Sequence, residues 1–222
     1  MVVLATKLYV GGDARERALD SLSAQVENSL GDLEVEWSVG VRDDGFPSVT
    51  VEGADAPVAR SLLGEEWGAI TPHREPGEVY VGTLERWDED GFYLDAGEET
   101  FVPTDGLGLG PGTPSQVRRR FGLVQHVPLR FVVDDGVARL ADEERDRLYG
   151  WTRGEGRVNV NSATRSEVRA TLNRAGHAED VVTVERLGLL EQSIVCREGT
   201  DPPGLIASIG RYLPSELLAV VP

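Results

Sequence analysis

Lysine is nearly missing from this chain: Lys7 is the only one among 22 cationic side chains, so arginine carries almost all of the positive charge. Cysteine is as scarce. The lone Cys196 excludes an internal disulfide, and three scattered histidines (His73, His126, His177) lack the clustered spacing of a zinc site. No structural metal and no cofactor are expected. No apolar run approaches the ~18 residues that a membrane-spanning helix needs. Met1 to Lys7 also has no basic segment followed by an apolar core and a cleavage site. A cytoplasmic location without membrane contact is therefore the expectation. A Gly-x-Ser-x-Gly elbow is absent, and Cys196 has no histidine near it in sequence. The expectation for catalysis is none.

What is present is an ordinary globular balance, 40% hydrophobic and 27% charged in 222 residues, enough for one large or two to three small domains. The formal net charge of -16 keeps such a chain dispersed when salt has screened repulsion. In about 1 M salt the Debye length is about 3 Å, so diffuse attraction to phosphate fades and binding to nucleic acid has to rest on direct contacts.

Residues 2 to 10 read as a strand. Ala18, Leu22, Val26 and Leu30 then recur at four-residue spacing, which predicts a helix from Asp13, its N-cap, to Leu30. Leu33 to Arg42 and Phe46 to Glu52 read as strands joined by Asp43-Asp44-Gly45, and a helix follows from Asp55 to Trp67. Residues 1–75 thus form a βαββα lobe, and residues 157–222 repeat the order with one more strand, βαββαβ, the ferredoxin-like split unit. Strands there are expected at Arg157 to Asn161, Asp180 to Leu187, Leu190 to Arg197 and Glu216 to Val221. The helices are expected at Ala163 to Ala175, capped by Ser162, and at Pro202 to Tyr212. Glu52 to Pro57 and Glu198 to Pro203 share a local pattern, which either an internal duplication or convergent helix capping accounts for. Residues 143–156 are set apart as a linker helix.

The middle, residues 76–142, has shorter strands: Glu78 to Trp87, Phe92 to Ala96, Thr100 to Val102, Val127 to Val133 and Val137 to Leu140, with a helix from Ser115 to Phe121 between the third and fourth. That is the order of an OB-fold barrel. The segment resembles the S1 branch of that family in Gly77-x-Val79-x-x-Gly82-x-Leu84, Asp90-Gly91-Phe92-Tyr93-Leu94-Asp95, Phe101-Val102-Pro103 and Leu129 to Asp134. The whole chain is similar to an archaeal family defined as domain of unknown function 2110, and its acidic, arginine-for-lysine composition resembles haloarchaeal proteins. The expected fold class is α+β: a central five-stranded S1-like OB barrel flanked by two ferredoxin-like α/β lobes. The S1 resemblance implies binding of single-stranded RNA and gives Tyr93 the place of the main stacking aromatic. Asp90 and Pro103 stand where S1 domains often carry an aromatic and a histidine. Those departures support a second reading, an adaptor that uses the barrel as a scaffold for protein partners.

From Gly106 to Asp134 the only acid is the terminal one, and the stretch holds Arg118, Arg119, Arg120 and Arg130. Guanidinium groups pair with phosphate in two-point, charge-assisted bonds. A second basic stretch, Arg145 to Arg174, carries seven arginines. Folded beside the barrel, the two stretches would make one positive face. The expected function is a non-enzymatic RNA or single-stranded nucleic-acid binding protein of the transcription or translation machinery, with Tyr93 stacking and the four arginines clamping phosphates.

Overall fold

Ala18, Leu22, Val26 and Leu30 are all 2% exposed or less, along one side of helix α1 (Gly12–Leu30), in the computed structural model, which describes residues 1–222. Asp13 lies inside the first turn, and Gly11 takes the N-cap position without a side-chain bond. The stripe covers a three-stranded antiparallel sheet in the order β1-β3-β2, built from β1 (Val2–Val3), β2 (Val35–Val41) and β3 (Pro47–Gly53). Helix α2 (Ala56–Trp67) packs beside α1 through Ala59, Leu63 and Trp67. The strand expected over residues 2 to 10 stops at Val3. Beyond it the backbone leaves the ladder: Leu4 bridges Ala69, and the Leu8 N–H reaches the Gly45 carbonyl at 2.9 Å.

The central region is a five-stranded antiparallel sheet curled into a half-barrel, ordered β6-β5-β4-β7-β8. Its strands are β4 (Val79–Trp87), β5 (Gly91–Asp95), β6 (Glu99–Pro103), β7 (Pro128–Asp134) and β8 (Val137–Leu140). Between β6 and β7 lie the single turn α3 (Thr104–Leu107) and α4 (Pro114–Arg120). Alternation along each strand sends Leu84, Phe92, Leu94, Leu129 and Phe131 into the core, all fully buried. Helix α5 (Asp142–Trp151), in the stretch expected to be a linker, adds Leu148 and Trp151 to that same core.

The C-terminal sheet is ordered β10-β11-β9-β12, from β9 (Arg157–Val160), β10 (Val181–Arg186), β11 (Gln192–Cys196) and β12 (Leu217–Val220), all antiparallel. Helices α6 (Arg165–Ala175) and α7 (Pro202–Ile209) accompany it. Thr164, not Ser162, caps α6 through a capping box with Glu167, and Ser162 sits at a φ of 57°. The first three strands of both terminal lobes run in the same 1-3-2 order, and the Leu4–Ala69 bridge stands where a fourth strand would lie. The shared sequence segment nevertheless forms different bonds in the two lobes. Asp201 accepts from the Gly204 N–H at 3.0 Å, whereas Asp55 accepts from the Glu34 N–H at 2.9 Å. No helix is long and apolar enough to cross a membrane.

Residues 187–191, between β10 and β11, leave their own sheet: Leu187 packs on the half-barrel core, and Leu189 and Leu190, each 1% exposed, enter the N-terminal core. A leucine buried this way contributes roughly 2 kcal/mol. The next residue, Glu191, is fully buried; its Oε1 accepts from the Tyr9 hydroxyl at 2.6 Å, and its Oε2 has no partner. Tyr9 in turn accepts from the Ser162 N–H at 2.9 Å and stacks on His126, ring centroids 3.9 Å apart. Glu85 lies 3.2 Å from His126 and 3.3 Å from Lys7, and Lys7 reaches Asp95 at 2.6 Å. All three lobes therefore meet at one buried polar junction.

Candidate nucleic-acid interface

Tyr93 lies on the outer face of β5, because its neighbour Phe92 fills the core. Its cross-strand partner on β6 is Phe101, 41% exposed, with ring centroids 4.9 Å apart. The two rings make a platform. Arg86 covers the Tyr93 ring at 3.3 Å from its centroid and is held by Glu99 at 3.0 Å, so part of the stacking surface is occupied and its rim is acidic. Phe101 is the platform residue that was not among the expected site residues. The signal lay in the tight turn after Asp95, which sets Tyr93 opposite Phe101.

The arginines read as one clamp are placed apart. Three consecutive residues on a helix point about 100° from one another. Arg118 accordingly turns inward, 4% exposed, where it pairs with Glu216 and stacks 3.8 Å from the Trp87 ring centroid. Arg119 is exposed and forms no ion pair. Arg120 holds the glycine-rich loop by donating to the Leu109 and Pro111 carbonyls. Arg130 is exposed on β7, opposite Val81 on β4, whereas Tyr93 is opposite Arg86 at the other end of that strand. Five residues of strand separate those positions by roughly 16 Å. No single face collects Tyr93 and the four arginines.

The second basic stretch does fold against the half-barrel, and it meets the first at Arg130. Arg130 and Arg147 on α5 both pair with Glu144, which is fully buried. Arg147 and Arg157 flank the Trp151 ring at 4.8 and 4.9 Å, and Arg157 reaches Glu185 at 3.0 Å. Arg165 and Arg169, four residues apart on α6, are exposed and form no ion pair. Arg186 stacks 3.8 Å from the Trp67 ring centroid and pairs with Glu66 at 2.6 Å. Partial desolvation by its neighbours, followed by the charges of Arg169 and Arg186, holds the Arg165 guanidinium below its ordinary value although the side chain is largely exposed. Arg165 also opens its helix, where the backbone dipole disfavours a cation. The Glu167 carboxylate of the capping box already answers the helix end, which leaves the Arg165 and Arg169 guanidiniums themselves as the groups free to meet an anion.

Between the three lobes lies a cleft of about 660 Å³. Arg130, Arg147 and Arg186 line it together with Tyr80, Val81 and Trp67, and α2 adds Glu65 and Glu66. Its inner wall includes Thr6 and Gly188. A Cβ on Gly188 would come within 2.2 Å of the Glu191 Oε2, so the absence of a side chain there lets the buried carboxyl pack behind the cleft. Six arginines (130, 147, 157, 165, 169 and 186) thus share a belt with five carboxylates (65, 66, 144, 167 and 185), against the 38 to 22 acidic excess of the chain.

No curated protein matches the chain. Family models match it in three consecutive pieces: the DUF2110 N-terminal domain over residues 1–73, the DUF2110 central domain over 74–152 and the DUF2110 C-terminal domain over 155–221. Each piece holds one of the three sheets together with its helices, α5 falling in the central one, and from end to end the chain belongs to the DUF2110 family.

Proposed function

We propose that this is a non-enzymatic protein that binds RNA or another single-stranded nucleic acid along the arginine belt, with the inter-lobe cleft receiving part of the strand. The observation that carries the reading is the local surplus of guanidinium groups on a chain of net charge -16. Contact pairing of guanidinium with phosphate survives screening that abolishes long-range attraction. The strand order of the half-barrel supports an S1-like OB assignment, and the 2-3-1-4 order of the C-terminal sheet supports a ferredoxin-like one. Both are recurrent scaffolds for nucleic-acid recognition.

The test is fluorescence anisotropy of a labelled oligouridylate in molar potassium chloride. Arg165→Ala combined with Arg169→Ala is expected to weaken binding by roughly tenfold or more. Tyr93→Ala and Arg119→Ala are expected to leave it within about twofold, since neither touches the belt. Undiminished binding by the Arg165/Arg169 double variant would remove the belt from consideration.

The adaptor reading has its own observation. At the open seam between β6 and β8, Phe101 and Val137 are 41% and 57% exposed beside a groove of about 460 Å³. Purification with and without nuclease separates the two, because a partner of the transcription or translation machinery docked on that seam persists after the nucleic acid is digested.

A further inference from the structure

Edge strands of soluble proteins are normally guarded by lysine, proline, a bulge or brevity. The β1, β8 and β12 edges are two to four residues long, β10 carries a register shift against β11, and β6 faces β8 across the half-barrel seam. Strand β2 is different. It runs seven residues, Val35–Val41, pairs with β3 without a register break, contains no lysine or proline, and has no strand on its other side.

The outward edge of β2 is chemically ready for another strand. The Arg42 N–H donates to the Phe46 carbonyl at 3.0 Å, and the Arg42 carbonyl accepts from the Gly45 N–H. By the alternation of an antiparallel ladder, Gly40, Ser38 and Glu36 also turn their backbone groups toward β3, whereas Trp37, Val39 and Val41 turn theirs to the free side.

We propose that β2 is a dimerisation edge, pairing antiparallel with the β2 of a second copy about a two-fold axis at Ser38 to join two three-stranded sheets into one of six strands. The sequence is self-complementary in that register, the one of full overlap. Trp37 falls opposite Val39 of the second copy and Val35 opposite Val41, matching the half-buried, helix-covered face of each sheet with its like. On the other face Ser38 meets Ser38, Glu36 meets the side-chain-free Gly40, and Glu34 meets Arg42, which within its own chain pairs with Asp44 at 2.8 Å, so that each end of the joint carries an opposite-charge contact. Between residues 34 and 42 no like charges stand opposite each other, and Asp32 and Asp44, which would, lie in the turns beyond the paired strands. Moving the axis to Val39 would set Glu36 against Arg42 but leave Val35 and Glu36 beyond the partner strand, which shortens the overlap. Each copy carries a net charge of -16, so the pairing strengthens with salt as long-range repulsion is screened.

Light scattering and cysteine crosslinking of the full chain in molar potassium chloride test this. Wild type is expected to be a dimer whose dissociation constant falls as salt rises. A Ser38 pair at the axis is a non-hydrogen-bonded one, with Cα atoms about 4.5 Å apart, inside the disulfide range. Ser38→Cys is therefore expected to oxidise to a covalent dimer, while Glu36→Cys, opposite Gly40, is expected to form no covalent dimer. Cys196 is buried and takes no part. Val39→Pro removes an outward N–H that costs the monomer no ladder bond, so it is expected to keep the far-ultraviolet circular dichroism and lose the dimer. A wild type that stays monomeric at all concentrations and salts would overturn the proposal. So would crosslinking of Glu36→Cys as fast as Ser38→Cys, or a Val39→Pro chain that remains dimeric.

Discussion

Glu191→Gln is expected to be more stable than wild type at pH 8, with the gap closing as the pH falls toward 5. Burial pushes the Glu191 carboxyl up to about 8 from an ordinary 4.5, against the lowering effect of the Tyr9 hydrogen bond, and the charge of Glu85 raises it further. Between those two values the folded protein holds a proton that the unfolded chain has released. Stability therefore falls as pH rises through that window and levels off above it. Each pH unit is worth about 1.4 kcal/mol, so the full window sets a ceiling of about 5 kcal/mol, and relaxation around the site reduces that to a few. Glutamine has no proton to lose and keeps an acceptor for Tyr9. Glu85 acts at the opposite end of the pH scale. Burial pushes it up, but bonds from His126 and Thr83 and the charges of His126 and Lys7 outweigh this and hold it at about 2. Its contribution is present above its ordinary pKa and is lost as the pH falls toward 2. Urea unfolding at a series of pH values measures both limbs, and parallel curves for wild type and Glu191→Gln between pH 5 and 8 would contradict the account. The same carboxyl lies behind the cleft and beside the Leu189–Leu190 plug, so its protonation favours the docking of all three lobes.

Arg118→Ala is expected to lower stability by about 3 kcal/mol, a fall in melting temperature of about 10 °C for a chain of this size. The guanidinium is sealed between the Trp87 ring and Glu216, and Glu216 also accepts from the Gln125 N–H at 2.8 Å, so the pair fastens the C-terminal lobe to the half-barrel. Removing the cation leaves the Glu216 carboxylate without its counter-charge and opens a cavity beside Trp87. Affinity for oligouridylate, measured below the melting transition, is expected to be unchanged. Lost affinity with intact stability would return Arg118 to the binding surface on which the sequence placed it.

Local signals served the reading of this chain well where structure is local. The Ala18–Leu30 stripe, the Asp-Gly hairpins near residues 44, 90 and 135, and the inward assignment of Phe92 all appear in the fold. Leu190 and Glu191 misled because an apolar residue beside a strand reads as strand, whereas their place is set by the core of another lobe. The run Arg118-Arg119-Arg120 misled because neighbours in sequence diverge around a helix. The belt was half legible. Arg147, Arg157, Arg165 and Arg169 fall in a stretch rich in arginine, but Arg186 follows Glu185 in a strand and reads as a neutral pair until the fold sets it across the cleft from Arg130. Sites assembled from three lobes leave no spacing in the sequence.

The central claim is that nucleic acid lies on the belt and in the cleft, and photocrosslinking of oligouridylate to the wild-type protein in molar potassium chloride, with adducts mapped by mass spectrometry, tests it most directly. Adducts are expected on the cleft aromatics Tyr80 and Trp67 and on peptides carrying Arg147 to Arg169. Adducts confined to Tyr93 and the Arg118 to Arg120 helix, or none on any peptide that lines the cleft, would contradict it.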